Sequence, residues 1–320
     1  MIWPRLFTAM ATPFTREGSV DTEAAAGLAR YLRDHGSGGI ILAGSTGEAF
    51  SLSLSERRTL YEAVHSVVEN IPIWMGTGTN DTRTTVELSM AAESWGVDGL
   101  LLVSPYYNKP TPEGLFQHYA EVARFVRCPM MLYNVPSRTG SMVDAETIQA
   151  ISHHTSGPFA VKEASGSIDQ LMRLRRGLAP DVPIYAGDDA LYLPALAVGA
   201  YGVVSVASHV VGEEILAMTA AFFSGNIGLA QGIHDDLWPL FKALFVVSNP
   251  LPLKWLLARL GLIGPWVRSP LFMPDDAAFE SLWLAYVHAT RHPWAELGGR
   301  ASGSNRNGQP QSLAGENHLL

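Results

Sequence analysis

The stretch FAVKEASGS, residues 159–167, places a lysine at the end of an apolar run. Phe159, Ala160 and Val161 predict a buried strand, which Lys162 continues. A buried ammonium group is costly unless it is paired or neutral. Glu163 is the obvious partner, but neighbours along a strand point to opposite faces. The pattern therefore leaves two alternatives: Lys162 pairs with a carboxylate distant in sequence, or it is kept neutral for chemistry.

A neutral lysine inside a protein suits Schiff-base formation with a carbonyl substrate. Loss of hydration lowers the lysine pKa and supplies the free amine, and the iminium then acts as an electron sink for making or breaking carbon–carbon bonds. The hydroxyls of Tyr133, Tyr107 and Thr46, at the ends of predicted strands, could relay protons. A substrate carboxylate could be held by Ser45 and Thr46 in the turn GSTGE and by the guanidinium of Arg138.

Each of these residues also has a plainer interpretation. A strand lysine is more often part of a structural ion pair, Arg138 could lie on the surface, and GSTGE alone is an ordinary turn. Their joint occurrence at the ends of predicted strands favours chemistry.

Eight short apolar runs, each followed by a helix-like segment, position these residues. They lack polar alternation, as expected for parallel strands covered on both faces. The runs are residues 6–12, 39–44, 71–76, 98–104, 129–134, 159–163, 183–187 and 201–208. This order predicts a (β/α)8 barrel, in which strand carboxyl ends carry function. A doubly wound sheet is the rival, but LFTAMATPF lacks the glycine loop expected after its first strand.

Capping signals mark several of the intervening helices. Asp21 can cap a helix that stops at Gly36, Ser53 and Glu56 have capping-box spacing, and Thr82 is expected to open a helix that ends before residue 97. The strand pattern stops after residue 225. We therefore expect a (β/α)8 catalytic barrel over residues 1–225, a C-terminal helical domain over 226–296, and a disordered tail over 297–320.

Composition narrows the classes of partner. The chain has 320 residues and a net charge of −8, which argues against nucleic acid and anionic membranes. It has one cysteine, Cys128, so no intrachain disulfide can form. No signal peptide and no membrane-length apolar run occur, which predicts a cytoplasmic protein. His153 and His154, expected in a loop, have no metal-ligand spacing, so we expect no metal.

Seven motifs occur in the order GSTGE, SPYYNKP, YNVPSRTG, VKEASG, YAGDDAL, GVVSVASH and NPLPLK. Together they resemble the dihydrodipicolinate synthase family over residues 5–290. The resemblance implies a class I, Schiff-base aldolase on a (β/α)8 barrel with a C-terminal helical domain. It implies condensation of pyruvate with L-aspartate 4-semialdehyde, the entry step to lysine and diaminopimelate. No metal or organic cofactor is implied beyond the covalent pyruvate imine.

The resemblance assigns roles in proton transfer. Lys162 would form the imine with pyruvate, and Tyr133 would be the central proton donor and acceptor. Thr46 would link Tyr133 to Tyr107. In this family a neighbouring subunit lends the second tyrosine of YYN, so Tyr107 implies at least a tight dimer, commonly within a tetramer built as a dimer of dimers.

The resemblance also assigns substrate contacts. Ser45 and Thr46 would hold the pyruvate carboxylate, and Arg138 the carboxylate of the semialdehyde. Gly187 and Val204 would contribute backbone carbonyls near the site.

Two other functions remain open. The synthases usually read GTTGE, and GSTGEAF resembles the N-acetylneuraminate lyase branch as closely. The alternative is therefore a pyruvate-dependent aldolase or dehydratase acting on a sugar acid, such as a 2-keto-3-deoxy acid. Arg138 in YNVPSRTG favours the synthase. A non-catalytic 2-keto acid binding protein should have lost Lys162 or the hydroxyls, and all are present.

Many synthases are inhibited by lysine at a subunit interface. The matching positions are Ala49, Phe50, Leu54, Arg57, Asn80, Thr84 and Tyr106. Lysine-sensitive relatives carry polar groups where Leu54 and Arg57 stand and a carboxylate where Thr84 stands. A cationic effector beside Arg57 and without that carboxylate should bind poorly, so we predict weak or absent lysine inhibition.

Overall fold

A computed structural model describes residues 3–291 and Trp294. Its eight parallel strands close into a barrel in chain order, and the last strand pairs with the first through Phe7 and Val204. The strands are β1 (Leu6–Ala9), β2 (Gly39–Leu42), β3 (Ile73–Gly76), β4 (Gly99–Val103), β5 (Met130–Asn134), β6 (Phe159–Glu163), β7 (Ile184–Ala186) and β8 (Gly202–Ser205). The predicted (β/α)8 barrel is confirmed, and the doubly wound alternative was wrong because the sheet closes on itself.

Helices follow the strands and continue beyond them. They are α1 (Thr22–Asp34), α2 (Leu54–His65), α3 (Thr82–Trp95), α4 (Pro112–Phe125), α5 (Pro136–Thr139), α6 (Ala145–His154), α7 (Ile168–Gly177), α8 (Tyr192–Ala197), α9 (Ser208–Phe223), α10 (Ile227–Ala243), α11 (Leu251–Arg259) and α12 (Glu280–Ala289). His153 and His154 therefore lie in the last turn of α6, and not in a loop.

The predicted helix starts are confirmed. Asp21 accepts from the backbone N–H of Ala24, and Ser53 and Glu56 form a reciprocal capping box. The cap of α3 is Asp81, whose side chain accepts from the Thr84 N–H, and Thr82 is the first helical residue. Aspartate takes the cap because its carboxylate is a strong acceptor for the free N–H groups of a first turn.

Two apolar layers build the core. The larger lies between the strands and the helices, and the smaller fills the barrel interior. The interior layer consists of Phe7, Ala9, Ile41, Trp74, Leu101, Met131, Tyr133, Val135, Ala160, Tyr185 and Val204. Large aromatic rings fill its amino-terminal end, where Phe7 lies 5.4 Å from Trp74 and 5.5 Å from Tyr185 between ring centroids. Side chains fill the barrel below its carboxyl-end opening.

Strand register decides which way Lys162 points. Ala160 belongs to the interior layer, and side chains two residues apart share a face, so Lys162 also points inward. Lys162 pairs in register with Tyr133 of β5. Glu163 points outward, where it accepts from the side chain of Asn134 at 2.9 Å and from the Ser165 N–H at 2.7 Å. Glu163 is therefore not the partner of Lys162.

After β8 the described chain is helical. Helix α10 packs against α9 and α12, and α11 also contacts α12. The division of the chain after residue 225 stays a proposal. The predicted tail over 297–320 lies outside the described residues.

Candidate active site

Lys162 lies near the carboxyl end of β6, and its side chain is buried. Its Nζ atom stands 4.1 Å from the centroid of the Tyr133 ring. In the described chain it forms no ion pair. Burial lowers the pKa of Lys162 to about 7; the negative charge of Asp189 opposes this, and Arg138 adds to it. Far more of the amine is therefore free near neutral pH than in an exposed lysine, which favours the second alternative for Lys162.

Tyr133 stands beside the lysine at the end of β5. Burial raises the pKa of its phenol, while the charge of Arg138 and a hydrogen bond with the Ser45 side chain act in the opposite direction. The sequence predicted Thr46 beside Tyr133, but the structure has a different hydroxyl residue at that place. The neighbour of Tyr133 is Ser45, the first hydroxyl residue of GSTGE.

Thr46 is buried and bound elsewhere. Its hydroxyl oxygen accepts from the side-chain amide of Asn249 at 2.9 Å. The backbone carbonyl of Asn249 accepts from Nη2 of Arg138 at 3.1 Å. Asn249, just before α11, thus contacts two predicted substrate-binding residues. The sequence analysis assigned it no role beyond its place in the NPLPLK motif.

A cavity of about 620 Å³ opens at the carboxyl ends of the strands. It is lined by Ser45, Thr46, Tyr133, Arg138, Lys162 and Gly187. A side chain at Gly187 would place its Cβ 2.6 Å from Cβ of Ala164 and 3.2 Å from Cε of Lys162, so a glycine keeps space beside the lysine.

Other residues that line the cavity were not predicted from the sequence. Helix α10 and the segment after it supply Phe241, Lys242, Phe245, Val247, Ser248 and Asn249. Asp188 and Val206 line the cavity too, whereas the predicted Val204 belongs to the barrel interior. The GDD and GVVSVASH motifs indicated the ends of these two strands. A motif alone does not show which of its residues faces the cavity.

Tyr107 lies outside this cavity. It is 88% exposed and has a positive φ of 73°, and its N–H donates to the Thr139 carbonyl at 3.2 Å. The structure of one chain therefore does not bring Tyr107 to Tyr133. Tyr106 instead packs on Phe50, at 4.9 Å between ring centroids, and both line a smaller cavity of about 330 Å³ that shares Ser45 and Arg138.

The predicted effector positions divide into buried and exposed residues. Arg57 is buried, and its guanidinium donates to the carbonyls of Gly76 at 2.6 Å and of Ala49 at 2.5 Å. Burial lowers the pKa of Arg57 to about 10. Phe50 and Leu54 are exposed.

Two further effector positions are polar and lie near each other in sequence. The backbone carbonyl of Asn80 accepts from the Asn108 side chain at 2.7 Å. The hydroxyl of Thr84 donates to Asp81 at 2.7 Å.

A second large cavity, of about 540 Å³, lies at the amino ends of the strands and contains none of the predicted site residues. Cys128 lines it, and burial together with the charge of Glu93 raises the thiol pKa to about 12. A thiol with that pKa carries almost no thiolate at neutral pH, so this cavity lacks an activated nucleophile.

Within residues 3–291 and Trp294, no three His, Cys, Asp or Glu side chains lie close enough together to hold a metal ion. No helix in that part of the chain is long and apolar enough to cross a bilayer.

A closed (β/α)8 barrel whose carboxyl-end cavity buries a lysine with a depressed pKa beside a tyrosine defines an enzyme of the Schiff-base aldolase class. Comparison with known proteins narrows this class. The sequence model of the dihydrodipicolinate synthetase family matches residues 3–282, and the chain belongs to that family.

Two similar proteins are 4-hydroxy-tetrahydrodipicolinate synthases. The chain is 48% identical over 272 residues to the 4-hydroxy-tetrahydrodipicolinate synthase of Moorella thermoacetica, covering 85% of this chain and 93% of that protein. It is 48% identical over 290 residues to the synthase of Heliobacterium modesticaldum, covering 89% of this chain and 96% of that protein. The family predicted from the motifs is thus confirmed.

Solved structures agree with the barrel. The dihydrodipicolinate synthase of Cyanidioschyzon merolae, solved with lysine bound, superposes with a TM-score of 0.87 at 42% identity, covering 89% of this chain and 98% of that chain. The synthase of Thermotoga maritima gives a TM-score of 0.87 at 35% identity, covering 90% of this chain and 99% of that chain.

Proposed function

We propose that this chain is a 4-hydroxy-tetrahydrodipicolinate synthase, which condenses pyruvate with L-aspartate 4-semialdehyde. The observation that carries the proposal is the buried Lys162, whose pKa of about 7 leaves a free amine beside Tyr133 in a cavity lined by Arg138. The relatives that bear this name, at 44–48% identity, support the choice of substrates.

The first half of the reaction uses Lys162 and Tyr133. The lysine amine attacks the pyruvate carbonyl, and loss of water leaves a protonated imine. Tyr133 shuttles the protons, and Ser45 rather than Thr46 takes the neighbouring place in the relay, because Ser45 is the hydroxyl beside the phenol. Ser45 and Thr46 hold the pyruvate carboxylate, and the backbone carbonyl of Gly187 completes the site.

The second half joins the two substrates. Loss of a methyl proton converts the imine to an enamine, whose carbon attacks the aldehyde to form the new carbon–carbon bond, and the aldehyde oxygen takes up a proton. Arg138 binds the semialdehyde carboxylate, since its guanidinium presents a planar fork of donors. The substrate amine then replaces Lys162 at the imine carbon, which closes the ring and frees the enzyme. The lysine imine is the electron sink, so the reaction needs no further cofactor.

We further propose a homo-oligomer in which a second subunit lends Tyr107, within a tetramer built as a dimer of dimers. Tyr107 is 88% exposed in the single chain and follows Tyr106, which packs on Phe50. Phe50 is 60% exposed and lines the smaller cavity with Ser45 and Arg138. Large exposed aromatic side chains grouped at one place are typical of a protein interface.

Two measurements test the function: intact mass after borohydride reduction with pyruvate, and turnover assays on untreated enzyme. Wild type should gain one pyruvate adduct, Lys162→Ala none, and Lys242→Met, which removes an exposed lysine on the same cavity, should keep it. An adduct with turnover of L-aspartate 4-semialdehyde is the expected result. An adduct without turnover of that aldehyde, but with turnover of N-acetylneuraminate or a 2-keto-3-deoxy acid, would show the sugar-acid alternative. A wild type that forms no adduct would contradict the Schiff-base mechanism and leave the 2-keto acid binding protein.

A further inference from the structure

The cavity around Lys162 contains one acidic side chain. Its charged lining residues are Arg138, Lys162, Asp188 and the exposed Lys242, so Asp188 is the single carboxylate among the lining residues that the structure describes. Sequence reasoning gave Asp188 no role.

Asp188 and Asp189 are adjacent in sequence but make different contacts. Asp189 is buried, and its Oδ2 accepts from the N–H groups of Val206 at 3.0 Å and Ala207 at 2.9 Å. Asp188 is half-buried, and its Oδ1 accepts from the Ala190 N–H at 2.9 Å. The second carboxylate oxygen of Asp188 has no partner in the described part of the chain, so it is open to a ligand.

Arg138 and Asp188 are not paired with each other. Arg138 gives one N–H to the Asn249 carbonyl at 3.1 Å, and the described chain contains no ion pair of Arg138 or of Asp188. Opposite charges that line one cavity and are not neutralised by each other are complementary to a ligand that carries both charges. A free α-amino acid is such a ligand at neutral pH.

Strand order places the lysine between these two charges. Arg138 follows β5, Lys162 is in β6 and Asp188 follows β7, and β6 pairs with both neighbours. Strands two apart in a sheet are about 10 Å apart. An amino acid held at both ends by charge-assisted hydrogen bonds of about 2.8 Å spans about 9 Å between the two protein groups. The two charges can therefore hold one amino acid while its side chain reaches Lys162.

We propose that Asp188 binds the α-ammonium group of the second substrate while Arg138 binds its α-carboxylate, so that Asp188 determines specificity for an amino-acid aldehyde. This inference rests on the proposed function, since it assigns a contact within the same reaction. An ammonium group entering a partly desolvated cavity needs a carboxylate partner, whereas a ligand without the amine gains nothing from Asp188.

The test compares two ligands that differ by the amine. L-aspartate 4-semialdehyde and 4-oxobutanoate share the aldehyde and the carboxylate, and only the first has an ammonium group. Their dissociation constants are measured on enzyme whose Lys162 has been trapped with pyruvate and borohydride, which cannot turn over. Asp188→Asn keeps the acceptor for the Ala190 N–H and removes the charge. Asp181→Asn removes an exposed charge at the opposite end of β7 and serves as the matched control.

Wild type and the Asp181→Asn control should prefer the amine-bearing ligand by about tenfold or more, as expected for a charge-assisted hydrogen bond. Asp188→Asn should lose most of that preference while its affinity for 4-oxobutanoate changes by about twofold or less. Equal weakening of both ligands would show a merely structural role for Asp188, and a wild type without preference would also overturn the inference. If the trapped enzyme prefers the amine-bearing ligand but untreated enzyme forms no product from pyruvate and L-aspartate 4-semialdehyde, the synthase proposal alone would be refuted.

Discussion

Lys254 donates to Glu48 across 2.5 Å, and the two side chains are 0% and 3% exposed. The residues lie 206 positions apart, one in α11 and the other at the end of GSTGE. Glu48 has a left-handed backbone with φ of 52°, which costs a non-glycine residue energy. Its second carboxylate oxygen accepts from the Arg268 N–H at 3.0 Å. The C-terminal helical region thus holds the turn that carries Ser45 and Thr46.

Breaking this pair should destabilise the fold and disturb pyruvate binding. Lys254→Met leaves a buried carboxylate without its cation, which should cost about 3–5 kcal/mol of unfolding free energy. Urea denaturation measures the unfolding free energy. Lys242→Met, which removes an exposed lysine of α10, is the control and should stay within about 0.5 kcal/mol of wild type.

A double variant separates stability from positioning. Glu48→Gln with Lys254→Met removes both charges and should recover most of the lost stability. Because the turn is then no longer held by the ion pair, the KM for pyruvate should stay raised while kcat changes less. A double variant with wild-type KM would limit the pair to a structural role.

Imine formation should follow the titration of Lys162. The free amine attacks pyruvate, and its fraction rises as pH passes through the pKa of about 7. The rate of borohydride trapping should therefore rise about tenfold between pH 6 and pH 8 and then level off. An exposed lysine amine would give about a hundredfold rise without levelling. A continued rise above pH 9 would contradict the depressed pKa.

Acid should destabilise the protein through His209. This residue is buried, its Nε2 accepts from the Ala11 N–H at 3.1 Å, and burial lowers its pKa from 6.5 to about 4. Between pH 6.5 and pH 4 the unfolded chain binds a proton at this histidine and the folded chain does not. The contribution of His209 to stability is therefore complete above pH 6.5 and decreases as the pH falls toward 4. The loss from this group between pH 7 and pH 5 should be roughly 2 kcal/mol.

Urea unfolding at both pH values checks the histidine prediction. His209→Gln should show a smaller loss on acidification than wild type, although it starts less stable. His153→Gln, at an exposed position of α6, should lose as much as wild type. An unchanged pH dependence in His209→Gln would assign the acid sensitivity to other groups.

Mixing two inactive variants should restore activity if Tyr107 acts across an interface. In a mixed dimer, the Lys162→Ala subunit can lend its intact Tyr107 to a Tyr107→Phe subunit, whose lysine is intact. Random reassembly should then recover about a quarter of wild-type activity. Mixing without reassembly is the control. If Tyr107 served its own chain, the mixture would show only the mean of the two parents.

Lysine should inhibit weakly or not at all. Arg57 keeps a positive charge in the predicted effector region, bound to the carbonyls of Gly76 and Ala49, and Thr84 supplies no carboxylate. Initial rates with added lysine measure the effect, and Thr84→Glu should increase sensitivity by adding the missing charge. A submillimolar inhibition constant for the wild type would contradict this prediction.

Local sequence was enough for the elements and for the central lysine. The eight strands and the caps at Asp21 and Ser53 were predictable because apolar runs and capping geometry depend on residues a few positions apart. The inward direction of Lys162 followed from the two-residue period of a strand. The start of α3 at Thr82 was predictable in the same way, although its cap, Asp81, was not named from the sequence.

The contacts between distant segments were decided by the tertiary structure alone. The sequence predicted that a lysine, two tyrosines, two hydroxyl residues and an arginine would meet at strand ends, and all of these except Tyr107 line one cavity. It did not determine that Ser45 rather than Thr46 stands beside Tyr133, that Asn249 holds Thr46, or that Lys254 binds Glu48. The physical reason is that Asn249 and Lys254 reach the GSTGE turn only when α11 packs against it, and that Ser45 and Tyr133 meet only when the barrel closes. Such packing depends on the summed burial of many residues rather than on any short pattern.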